Sequence, residues 1–277
     1  MTKSISTVKL QVSVDHINAE LHYFLNQLPF IGVEEKKASW LWYWEVKVWD
    51  THEEDIRQFF EHRNIPFTYE RVDGKNWNAS WEASFSPVSI GSFCNIRAQF
   101  HAQREDVMHD IVIDPKMAFG TGHHDTTYQM VQAMETYIAP GSQVIDLGTG
   151  TGILAILAEK MGAAHVLAID NDPAAIENTK ENLDLNDCDR IKVQWGDVSD
   201  VENELAAFDL ILVNINRNVL LDLADKLSNK ASQGTGLIMS GVLKTDASQV
   251  MKAYEAAWSP QLISQSEDWV CIYGKKT

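Results

Sequence analysis

The sequence predicts two α/β units: a small ferredoxin-like α+β domain over residues 1–73, then, across a linker at 74–92, a doubly wound sheet with an antiparallel C-terminal edge over 93–277. Three observations predict this. The first seventy residues run in the order strand, helix, two strands, helix, strand. Strand-like and helical patterns alternate again from Asp110 onward, and a glycine-rich loop joins one of those later strands to a helix.

In the first unit "VKLQVSV" alternates and "HINAELHYFLNQL" carries helical spacing. "SWLWYWEVKVW" alternates again, "EEDIRQFFEHR" makes a short amphipathic helix, and "PFTYERV" closes the set. The period of two sets Trp40, Trp42 and Trp44 on one sheet face, where they are expected to pack under the two helices. A base-stacking platform is the alternative, but residues 1–75 hold nine Lys/Arg against twelve Asp/Glu, which leaves no electrostatic funnel for RNA. The junction "GKNWNASWEASFSPVSIGS" is rich in Gly, Ser, Asn and Pro, yet spaces Trp77, Trp81 and Phe85 four residues apart, as a short docked helix would.

Strand-like runs follow at "DIVID", "SQVIDLG", "HVLAIDN", "IKVQWGD", "FDLILVNI" and "TGLIMSGVL", with helical patterns between most of them, and two further strand candidates, "QLISQSEDW" and "VCIYGKK", end the chain. With 45% hydrophobic residues the chain can bury a real core. No run approaches the roughly eighteen apolar residues of a membrane span, and the N-terminus has no signal-like apolar stretch, so a soluble, cytoplasmic protein without a membrane partner is expected. Cys94, Cys188 and Cys271 are scattered and odd in number, which suggests reduced thiols rather than disulfides or zinc. The net charge of −16 repels a phosphate backbone and makes a basic protein a better partner than nucleic acid, although acidity also serves solubility.

The chemistry concentrates in "VIDLGTGTGILAILAEKMGAAHVLAIDNDPAAIENTKENLDLN". The strand Val144–Leu147 runs into Gly148, Gly150 and Gly152; Ile153 opens a helix ending near Gly162, a second strand reaches Asp170, and Pro173 starts the next helix. A glycine loop between strand and helix, with an acid at the end of the second strand, marks a ribose-binding nucleotide site. Dinucleotide sites usually space their glycines Gly-x-Gly-x-x-Gly so that a pyrophosphate meets the helix N-terminus. Here the spacing is Gly-x-Gly-x-Gly, and Asp146 two residues earlier would oppose a phosphate. S-adenosylmethionine carries an ammonium, a sulfonium and a ribose diol but no phosphate. Asp146 near its positive end and Asp170 on its ribose fit that donor better than a dinucleotide.

Upstream, "DPKMAFGTGHHDTT" raises the question of metal through His123, His124 and Asp125. Adjacent histidines point in different directions and no further ligand cluster with zinc spacing is visible, so no metal is expected.

With its flanks, the glycine loop resembles that of a class I methyltransferase, and "DPKMAFGTGHHDTT", "DLGTGTGILAI", "DLILVNI" and "SGVL" together resemble, in order and spacing, the ribosomal protein L11 methyltransferase family (protein methyltransferase A). Trp77, Trp81, Phe85 and Pro87 are similar to that family's linker. His123, Asp125, Lys116 and Asn216 depart from its usual Thr, Pro, Gly and Leu. The resemblance implies a seven-stranded Rossmann-like sheet and S-adenosylmethionine as methyl donor. It sets donor contacts at Thr127, Gly148, Asp170 and Asn214, joined by Asp146, Gly150 and Gly152 from the loop itself. Phe119 and Gly120 fall in a loop closing over donor and acceptor, and Asn214 falls where the acceptor amine is oriented. The implied reaction methylates lysine side chains or the N-terminal amine of ribosomal protein L11, met free rather than on the assembled ribosome and without direct nucleic-acid contact. A methyltransferase for another protein, a small amine or RNA, and a non-catalytic donor-binding module, are the rival readings.

Overall fold

The computed structural model describes residues 7–17, 21, 24, 25, 28, 32–36, 39–72, 86–114, 120 and 122–277, and its chain divides into two compact units, Met1–Ser84 and Phe85–Thr277.

In the first unit β1 (Thr7–Ser13), β2 (Gly32–Lys36), β3 (Ser39–Glu45) and β4 (Phe67–Val72) form an antiparallel sheet in the order β2-β3-β1-β4. The helix α1 (Val46–His62) starts at Val46 rather than near Glu53 as the alternation suggested. "VKVW" fits a period of two, but Trp49, Ile56 and Phe60 share one helical face and are all buried, so tertiary packing overrides the local pattern. Trp42 and Trp44 are fully buried in one core with Trp49, Ile56 and Phe60, and the half-buried Trp40 stacks on Trp42 at 5.9 Å between ring centroids. Trp42 and Trp44 are core, as expected, and Trp40 packs against that core. Trp77, Trp81 and Phe85 of the junction lie outside the described residues.

The second unit is built on a seven-stranded sheet: β8 (Gln143–Leu147), β9 (His165–Asp170), β10 (Ile191–Trp195), β11 (Leu210–Asn214), β12 (Gly236–Leu243), β13 (Gln261–Gln265) and β14 (Trp269–Lys275), in the order β10-β9-β8-β11-β12-β14-β13. Strands β8 to β12 are parallel. The antiparallel strand is β14, inserted between β12 and β13, so it is not the sheet edge. "DIVID" does not join this sheet. Its strand β7 (His109–Val112) pairs with β6 (Cys94–Arg97), which pairs with β5 (Val88–Ile90), in a separate three-stranded sheet. A buried ion pair favours that pairing: Asp110 accepts from Arg97 Nε at 2.7 Å and from Asn95 Nδ2 at 2.8 Å across β6 and β7. Strand β5 lies within residues 74–92 and belongs to the second unit.

Helices α2 (Asp125–Tyr137), α3 (Ile153–Lys160), α4 (Pro173–Leu185), α6 (Arg217–Lys230) and α7 (Ala247–Tyr254), with the short α5 (Val198–Val201), follow the strands. Val144, Leu210 and Leu212 pack with Met130 and Met134 of α2 and Leu154 of α3, whereas Ile145, Ile211 and Val213 pack with Leu220 and Leu227 of α6. Successive strand residues thus enter two different cores, which is why these strands are apolar at nearly every position. The thiols of Cys94 and Cys271 are buried and free, and burial pushes both up to about 12.

Candidate active site

Strand order reverses between β8 and β11, and a cleft of about 610 Å³ opens there at the carboxyl ends of the parallel strands, the usual ligand position in open α/β sheets. Its walls include Gly148 and Gly150 of the glycine loop, Asp170 and Asn171 at the end of β9, Asp197 after β10, and Asn214 to Asn216 at the end of β11. His124 and Thr126 at the start of α2, Gly241 of β12 and Trp269 of β14 complete it.

The glycine loop is held from below and from the side. Asp146 is fully buried, does not line the cleft, and accepts the Thr149 hydroxyl at 2.7 Å. Burial pushes its carboxyl up to about 7; the Thr149 bond opposes this, the nearby Asp170 adds to it, and the Ala155 amide is the weakest influence. Gly152 also lies off the cleft wall, as the N-cap of α3 at φ +81°, where an added Cβ would sit 2.8 Å from Thr179. Asp170 stands at the rim: its Oδ2 accepts from the Gly150 amide at 2.9 Å and its Oδ1 from the Asp172 amide at 3.0 Å. The acid on the second strand therefore shapes the loop as well as facing the cleft.

Asn178, Asn182 and Asn186, spaced along the buried face of α4 and its cap, bind backbone outside that helix: Asn178 Nδ2 donates to Asp114 O, and Asn186 accepts from Val112 N and donates to Val112 O. Asn182 Oδ1 accepts from Asp114 N at 2.8 Å while its Nδ2 donates to Thr151 O at 2.8 Å, so one side chain ties the segment after β7 to the glycine loop. Gly120 is joined to the same loop, its carbonyl accepting the Thr151 hydroxyl at 2.7 Å. Phe119 lies outside the described residues.

At the other side of the cleft Thr127 is fully buried and its hydroxyl accepts from Asn214 Nδ2 at 3.4 Å. Asn214 Oδ1 is buried and has no hydrogen-bond partner among the described residues. His124 caps α2, its Nδ1 accepting from Thr126 N at 3.3 Å, and its ring meets Trp269 edge-on at 4.9 Å. His123 Nε2 instead lies 2.9 Å from Ser86 O. The two histidines therefore face different neighbours, and among the described residues no three His, Cys, Asp or Glu side chains gather as a metal site.

Sequence reasoning brings Gly148, Gly150, Asp170 and Asn214 together on the wall, with Thr127 directly behind. Asp197 and Trp269 were not marked in the sequence, His124 was raised there only as a metal candidate, and Asn216 only as a departure from the family pattern. Asp197 had a legible signal, an acid after the third strand as Asp170 is after the second; its carboxylate caps α5, and the Ser199 amide and hydroxyl hold it below the usual range. Asn216, where an apolar residue was expected, caps α6 by accepting from Val219 N at 3.2 Å. Trp269 had no local signal; Gln129 Nε2 donates to its carbonyl across 140 residues of sequence.

Residues 16–277 match the family described as ribosomal protein L11 methyltransferase (PrmA). A ribosomal protein L11 methyltransferase of Porphyromonas gingivalis is 37% identical over 252 residues, covering 89% of this chain and 84% of that protein. One from Bacteroides thetaiotaomicron is 40% identical over 183 residues, 66% of this chain and 65% of that protein. Among solved structures, the ribosomal protein L11 methylase of Lactobacillus delbrueckii subsp. bulgaricus superposes with a TM-score of 0.63 at 28% identity, over 70% of this chain and all of that one. The chain belongs to the ribosomal protein L11 methyltransferase family.

Proposed function

We propose that this chain transfers methyl groups from S-adenosylmethionine to amino groups of ribosomal protein L11, on lysine side chains or the N-terminal amine, in the cytoplasm. The observation that carries the reading is Asn214: a strand-end amide in the cleft with a buried oxygen that has no partner among the described residues, as an amine-orienting acceptor requires. The donor fits the rest of the wall. Asp170 keeps lone pairs at the rim for a ribose diol, and the carboxylates of Asp170 and Asp197 suit a cationic ligand and oppose a phosphate.

When bound, S-adenosylmethionine supplies a methyl carbon open to in-line displacement by an uncharged amine. The chain's task is then alignment. The Thr127 hydroxyl accepts from Asn214 Nδ2, which leaves Asn214 Oδ1 to accept an N–H of the acceptor amine and direct its lone pair. A lysine with an ordinary pKa of about 10.4 must first lose a proton, and a closed apolar site favours the neutral form. The Trp269 and His124 rings line the same cleft as Asn214, and no general base is needed.

Residues 1–73 recognise the protein substrate, and the Phe85–Thr277 unit binds the donor and performs transfer. This division is supported by the cleft lying wholly in the second unit and by the overall charge of −16, which suits a basic partner met free of the ribosome. No direct contact with nucleic acid is expected. The test is transfer of radiolabelled methyl from S-adenosylmethionine to purified ribosomal protein L11, to ribosomal RNA and to free lysine. Label is expected in L11 alone; label in RNA or lysine but not L11 would replace this reading with one of the rivals.

A further inference from the structure

We infer that Gly241, in the "SGVL" segment of β12, is a positioning residue that fixes the Asn214 amide through Ile215; the inference rests on Asn214 orienting the acceptor. Strand β11 lies between β8 and β12, and Ile215, the residue after β11, is held between a glycine from each neighbour. On one side, a Cβ at Gly148 would sit 2.6 Å from Ile215 Cγ2. On the other, a Cβ at Gly241 would overlap the Ile215 carbonyl oxygen and stand 2.7 Å from its carbonyl carbon. Real Cβ contacts do not come so close, so the backbone just beyond Asn214 occupies space that only a glycine leaves free.

The backbone of β12 is shaped for this approach. Its pairing with β14 shifts between Met239 and Val242, so β12 carries one residue more than β14 across that interval. Gly241 lies in the extra stretch at φ +83°, the left-handed conformation of a glycine bulge. Ser240, one residue earlier, is opposite Asn214 in the parallel register, and its buried hydroxyl donates to Val270 O at 2.9 Å, which fastens the bulge to β14. Serine and glycine therefore have separate tasks: Ser240 secures the bulge, and Gly241 turns its bare Cα toward Ile215. Among the described residues the Asn214 side chain has one weak polar tie, to Thr127 at 3.4 Å, so its placement depends on the packing of the peptide that follows it.

Gly234 provides a matched control. It too has a positive φ, +88°, but a Cβ there meets nothing within 4 Å, so Gly234→Ala carries the backbone strain without the collision. In the full chain, with ribosomal protein L11 as acceptor, Gly241→Ala is expected to lower kcat about 10–100-fold, the scale on which small misplacements act. Donor affinity by calorimetry should change far less, and Gly234→Ala should behave as wild type. If Gly241→Ala keeps a kcat within about twofold of Gly234→Ala, below any effect of misalignment, the inference is overturned. Should Gly241→Ala not fold, Ser240→Ala decides, because it adds no atom: a kcat lowered about threefold to tenfold with donor affinity kept supports the inference, and an unchanged kcat overturns it. Asn214→Ala separates the two levels. If it retains full kcat, the reading of Asn214 fails and the inference with it; if it loses kcat while Gly241→Ala does not, the inference alone fails.

Discussion

Both carboxylate oxygens of Asp170 accept a backbone amide, and one of those amides belongs to Gly150 in the loop that walls the cleft. Removing the carboxylate therefore removes the proposed ligand contact and a loop tie at once. Asp170→Ala is expected to weaken S-adenosylmethionine by about 1–3 kcal/mol, the cost of leaving buried polar groups unpaired, as read by calorimetry; unchanged affinity would take Asp170 out of the site. At this scale the sequence was legible where spacing is local. Gly148, Gly150 and Asp170 sit within one strand–helix–strand segment, and the ligand chemistry follows from which residue types meet there. Thr127 and Asn214 are 87 positions apart and were joined by resemblance, not by spacing. The pairing of His124 with Trp269 was not legible, because their edge-on contact is made only when β14 is inserted next to β12.

The turn from β8 into α3 depends on Asp146, a carboxylate sealed beneath its own loop. The proximity of an acid to the glycines was legible, but its direction was not: strand alternation sets Asp146 on the face of Val144, under α3, and not toward a ligand's positive end. Its folded pKa of about 7 lies above the ordinary 3.8, so between roughly pH 4 and pH 7 the folded state holds a proton that the unfolded chain has released. Stability of the second unit should fall as pH rises through that window, by on the order of a few kcal/mol. Asp146→Asn keeps an oxygen for Thr149 without the titration. Its urea midpoint relative to wild type is expected to be higher at pH 8 than at pH 5, and a difference independent of pH would contradict the assignment. Other elements show the same division between local and tertiary information. The α3 and α4 starts at Ile153 and Pro173 follow from local signals, whereas the start of α1 at Val46 and the placement of β7 in a separate sheet follow from burial of Trp49 and from the Arg97–Asp110 pair.

For the molecule as a whole, the order of strands and helices in the sequence was enough to identify the doubly wound sheet, and not enough to show that its antiparallel strand is inserted rather than terminal. Among the described residues no helix is long and apolar enough to cross a membrane. The proposed division of labour between residues 1–73 and the Phe85–Thr277 unit has a plain consequence. A chain beginning at Gly74 retains Thr127, Gly148, Asp170 and Asn214, so it should bind S-adenosylmethionine as the full chain does. It should nevertheless lose methylation of L11 if, as proposed, alignment of the protein acceptor depends on residues 1–73. The most direct measurement is the intact mass of purified ribosomal protein L11 after incubation with S-adenosylmethionine and either chain. The full chain is predicted to add the mass of one or more methyl groups and the shortened chain to leave L11 unmodified. L11 left at its starting mass by a full chain that binds the donor would contradict the proposed function, and equal methylation by both chains would contradict the role given to the first unit.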